Sequence, residues 1–205
     1  MEGIADFLDS LIGGVDLVCY SLTIGSLFWG VLVLRPWETP EKYNPAFLES
    51  SISLLYKGAF AVVVAQFLKI VFKVWLMAAT LDQWPFPEFA YTSQFIGGTI
   101  RLVLAFFLAR YCFLYLRAEP YSHYQWTTAA TFAVPLVISG AWLVHGASRF
   151  DNRFMLMSFT VLHQLFAAAW IGGVIQLVNV WLLRKRNVID GELWPILLNR
   201  FSTLG

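Results

Sequence analysis

The sequence predicts an all-α integral membrane protein, a polytopic bundle of about five transmembrane helices, and three observations carry that expectation. Of its 205 residues 59% are hydrophobic and only 13% charged, against about 25% charged in soluble domains. Its apolar residues fall into long runs, each enough to cross about 30 Å of hydrocarbon at about 1.5 Å per residue. Lys and Arg are distributed unevenly among the short connections between those runs, as the positive-inside rule requires.

The first run, residues 11–34, contains Asp16, Cys19 and Tyr20 and stops at Arg35, Pro36 and Trp37, a charged and aromatic interface. The preceding segment is acidic and lacks the basic start of a cleavable signal, so this run is expected to be a permanent span. A polar connection with three prolines leads to the second run, 51–81, which carries Lys57, Lys69 and Lys73. These lysines either snorkel from its ends or face the interior. After a short aromatic loop, the third run, 93–116, holds Arg101 about 12 Å deep. The fourth, 127–146, contains Pro135, which is expected to kink it, and ends near His145. The fifth, 154–183, is the longest free of formal charge and carries His163. A tail, 184–205, follows, and the whole chain reads as one membrane domain.

Orientation follows from the basic residues. With the tail inside, Arg35, Lys42, Arg117, Arg184, Lys185, Arg186 and Arg200 gather on the cytoplasmic side, leaving Arg149 and Arg153 outside. The expected topology is N-terminus outside, C-terminus inside. A net charge of +1 speaks against nucleic-acid partners. Cys19 and Cys112 are isolated within apolar runs and form no disulfide framework or CxxC motif. Phosphate-binding, zinc-protease and serine-hydrolase motifs are all absent from the sequence, so no enzyme is expected.

With this orientation Asp16, Cys19, Arg101 and His163 fall about 8–14 Å from the outer edge of the hydrocarbon. Asp16 and Arg101 are the natural ion pair there, whether as a structural lock or as a gate. His163, expected to face the bundle, is either a neutral imidazole bonded to a neighbouring helix or a ligand for copper or haem iron. His145, Met155 and Met157 cluster near the outer mouth, and imidazole with thioether suits copper, although methionine is also ordinary core filler. Ala169 and Gly173, with Gly172 beside them, offer a small-residue face to a neighbouring helix. One haem held by both His145 and His163 is disfavoured by their different depths.

Three stretches resemble the membrane domain of the bacterial copper resistance protein D (CopD) family. They are VHGASRF and VLHQLFAAAWIGG, with His145, His163, Trp170, Gly172 and Gly173; Phe95 to Leu102, FIGGTIRL; and Arg200, Phe201 and Ser202. Together they cover about residues 94–204. The resemblance implies an inner-membrane protein of copper uptake or homeostasis, working with periplasmic copper carriers. His145 and His163 would be copper ligands, and Arg101 a structural or gating residue. Chains of that family continue into further spans, whereas this sequence stops at Gly205, which suggests a short form, a fragment or a small subunit. In the copper reading His145, Met155 and Met157 capture the ion and His163, with Cys19, passes it inward. The alternatives are a b-type haem or accessory electron-transfer subunit, and a structural subunit among other membrane subunits.

Overall fold

The computed structural model describes residues 2–81, 84, 86–142, 152–189 and 191–203. The chain carries no charge between Asp16 and Arg35, and here helix α1 (Glu2–Phe28) runs without a break into a π-helical turn, Trp29–Leu34. Arg35 N–H closes that turn on the Gly30 carbonyl, five residues back, at 3.1 Å. Gly30 is required because the Trp126 ring occupies the place of a Cβ.

Helix α2 (Pro45–Leu81) opens on a proline, with the Asn44 side chain accepting from Ala46 N–H at 2.9 Å. At 37 residues it exceeds what a bilayer needs. After the short α3 (Phe86–Ala90), the Thr92 hydroxyl caps α4 (Ser93–Tyr111), which also ends in a π-helical turn, Cys112–Leu116. Ser122 caps α5 (His123–Thr131), and α6 (Ala133–Trp142) continues it after an interruption at Phe132. Pro135 explains that break, because it has no N–H for the Thr131 carbonyl one turn back. Helix α7 (Arg153–Lys185) and α8 (Leu193–Ser202) complete the described chain.

Four helical segments are long and apolar enough to cross a membrane: Phe7–Leu34, Pro45–Thr80, Ser93–Leu116 and Phe154–Lys185. The expected fourth span is assembled from α5 and α6, and its far end lies outside the described residues. No strand occurs among the described residues. Helix α1 packs on α2 and α7, α2 on α4, α4 on α6, and α6 back on α7. Of the four long segments α1 is the most enclosed, the central helix of the packing: 61% of its most apolar window is buried, against 22–33% for the other three. Phe60, Phe67, Trp75, Phe106, Phe107 and Phe166 point outward, the kind of surface that lipid covers.

The tail folds back on the bundle. Leu193 and Leu197 of α8 are buried, and Arg200 Nη1 donates to the carbonyls of Val33 and Leu34 at 2.9 and 3.1 Å, groups left free where the π-helical turn ends. The Tyr43 hydroxyl donates to the same Leu34 carbonyl. Burial pushes its pKa up while Arg200 opposes the shift, so the phenol stays a neutral donor. Hydrogen bonds to charged groups contribute about 1.5–3 kcal/mol. Arg200→Ala is therefore expected to lower the thermal midpoint in detergent and to speed proteolysis between α7 and α8; unchanged cleavage would show that α8 is held by its leucines alone.

Candidate functional site

Asp16 of α1 and Arg101 of α4 are each only 5% exposed, and they face each other across the bundle. Arg101 Nη2 lies 3.7 Å from Asp16 Oδ2, and Gln66 Nε2 of α2 donates to that same oxygen at 2.7 Å. The guanidinium carbon stands 4.3 Å from the centre of the Tyr20 ring, a cation–π contact one turn along α1. Gly140 of α6 makes room for the group: a Cβ there would come within 3.0 Å of Arg101 Nη1 and 2.7 Å of Gln164 Oε1 from α7. Five helices thus converge on one acid and one base.

The pair is not saturated. Asp16 Oδ1, Arg101 Nε, Tyr20 Oη and Gln164 Oε1 are buried and have no hydrogen-bond partner among the described residues. Each such group costs about 1–3 kcal/mol in a dry interior. The centre is therefore polarised and joined to several helices, and among the described residues it holds no soft ligand for a metal ion.

The expected metal ligands lie elsewhere. His163 was expected to face the bundle; it is exposed, on a stripe with Phe159, Phe166 and Trp170. The reason is helical spacing. Ala168, Gly172, Gln176 and Val180 recur every four residues and take the inward face, and His163 lies about 140° round the helix from Ala168. It shares the depth of the charged centre, since Gln164 is its neighbour, but it points away. Cys19 is partly buried beside Tyr20, Met155 is 54% exposed, Met157 is partly buried, and His145 lies outside the described residues. Met155 and His163 are two turns apart on one helix, about 12 Å, which is too far for both to bind a single ion. Among the described residues no three His, Cys, Asp or Glu side chains are grouped as a metal site.

The small-residue contact is displaced by one position. Gly172, with Ala168, presses on Gly25 of α1, whereas Gly173 receives the Phe201 ring of α8 and Ala169 lines the apolar groove beside it. Lys73 pairs with Asp9 at 3.6 Å, Lys69 lines a polar cavity, and Lys57 is exposed.

No family model, curated protein or solved structure matches the chain. The sequence-based expectation centred on charged residues and histidine, passed over Gln66 and Gln164, and gave Tyr20 no role. Their signal was present: an uncharged polar side chain inside an apolar run must also find a partner at membrane depth.

Proposed function

We propose that this chain is a multi-pass membrane protein that handles copper, with the Asp16–Arg101 centre as the gate that holds or releases its helices. The convergence of five helices on a buried ion pair carries this reading, since charges at membrane depth are costly and commonly mark transport pathways. Copper as cargo draws support from the CopD resemblance and from the imidazole and thioether chemistry of His145, Met155, Met157 and His163. The Lys/Arg bias favours an inner-membrane protein with its N-terminus outside, which puts His145 and the two methionines on the side where a periplasmic carrier would deliver the ion. Catalysis has no part in this reading.

A second reading draws on one specific feature. His163 stands outward among Phe159, Phe166 and Trp170, a setting suited to an axial imidazole at a b-type haem shared with another subunit. Purified protein separates the two, because copper without a Soret band supports the first and a Soret band the second. His163→Gln is expected to leave the protein monodisperse and remove most bound metal, while His123→Gln changes little. Unchanged metal content in the His163 variant would remove this histidine from the site, and wild-type protein with neither copper nor haem would overturn both readings.

A further inference from the structure

The described residues hold a second buried polar layer. Gln176 of α7 is fully buried; its Nε2 donates to Ser26 Oγ of α1 at 2.8 Å and to the Ser51 carbonyl of α2 at 3.2 Å. One turn further, Ser50 Oγ donates to Asn179 Oδ1 at 3.0 Å. Gln176 Oε1, Ser51 Oγ and Asn179 Nδ2 have no hydrogen-bond partner among the described residues.

Each layer adjoins a cavity, and the cavities open at opposite ends of the bundle. Where α1 begins, a cavity of about 230 Å³ is lined by Asp9, Gln66, Lys69, Lys73 and Gln94, and its Gln66 is the residue that bonds Asp16. Where α2 begins, one of about 380 Å³ is lined by Glu49, Ser50, Ser53, Lys57 and Asn179. A water molecule occupies about 30 Å³ of liquid, so either space holds several.

Between the layers α1 is closely packed, with Ser21 and Thr23 as buried hydroxyls. Asp16 and Ser26 are ten residues apart on α1, or about 15 Å. Within that interval the Thr23 hydroxyl is satisfied by its own helix, donating to the Cys19 carbonyl at 2.8 Å. Gly58 of α2 presses on Thr23, Gly25 meets Gly172, and Leu55, Ala59 and Val62 are fully buried around them.

We propose that two water-filled half-channels follow α1 from opposite faces, one ending at Asp16 and the other at Gln176, with the glycine seam of α1, α2 and α7 keeping them apart. Seven unpartnered polar atoms line the two layers. Left dry, seven such atoms would absorb much of the net stability of a folded chain. Water reaching them from each cavity removes that cost. The occupants are water and the protons it relays. Charged side chains stand at both mouths, Lys69 and Lys73 with Asp9 at the first, and Lys57 with the Arg117-paired Glu49 at the second. The inference needs the helices to span a membrane but does not rest on copper.

The test is thiol modification in sealed vesicles of either orientation. The probe is a membrane-impermeant, negatively charged methanethiosulfonate, applied to the full chain carrying Cys19→Ala. Native Cys112, fully buried in apolar core, serves as the dry control. Gln66→Cys and Gly98→Cys are expected to react only from the face where α1 begins, and Asn179→Cys and Ser50→Cys only from the other. Cys112 should react only after denaturation. Gly98 has ordinary van der Waals space for a Cβ and Ser50→Cys is nearly isosteric, so these two report even if the glutamine or asparagine variant fails to fold. Protection of both members of a pair from both faces, or reaction of either pair from both faces, would overturn the proposal. Metal content plays no part in this readout, so its failure is distinguishable from failure of the copper reading.

Discussion

Asp16→Leu and Arg101→Leu are each expected to destabilise the protein by about 3–5 kcal/mol, and the double replacement by much less than the sum. The members of the pair are 5% exposed and 3.7 Å apart, so either single change strands a charge where water cannot fully solvate it. The double change removes both charges and costs mainly the Gln66 hydrogen bond, about 1–3 kcal/mol. Unfolding midpoints in detergent, with the four proteins compared at matched concentration, give the coupling directly. Additive losses would mean that the two side chains do not depend on each other.

A still larger effect is expected at Gly172. A Cβ there would collide with the Ser21 carbonyl oxygen and Gly25 Cα, both backbone atoms of the central helix, so α1 and α7 would have to separate. Overpacking ordinarily costs about 1–3 kcal/mol where side chains can shift, and here none can. Gly172→Val should fail to yield monodisperse protein. Gly173→Ala meets the Phe201 ring, which can move with α8, and should only lower the thermal midpoint. Gly13→Ala, with nothing within 4 Å of the new atom, is the control and should be neutral or slightly stabilising. A Gly172 variant as stable as that control would refute the close α1–α7 approach.

The helices were legible because their signals are local: long apolar runs, and Pro135 within the fourth of them. That Asp16 and Arg101 lie at one depth was legible too, since rise per residue converts position into depth. Azimuth was not. Depth alone does not say which way a side chain points, and the rule that ionisable groups face inward misplaced His163, because the Ala168–Gly172–Gln176 stripe competes for the same inward face and lets backbones approach more closely. The role of α8 was hidden for another reason. Arg200 reads as an interfacial charge until the π-helical turn of α1 supplies the two free carbonyls that it binds.

Copper uptake by proteoliposomes loaded with a fluorescent copper chelator tests the central claim most directly, using wild type and the charge-free Asp16→Leu/Arg101→Leu variant that the coupling argument expects to fold. If the buried pair gates the pathway, wild type carries copper inward and the double variant, monodisperse and still binding metal, loses control of uptake, either blocked or leaking without saturation. Saturable uptake by the double variant at the wild-type rate would contradict the account and leave the pair a structural lock.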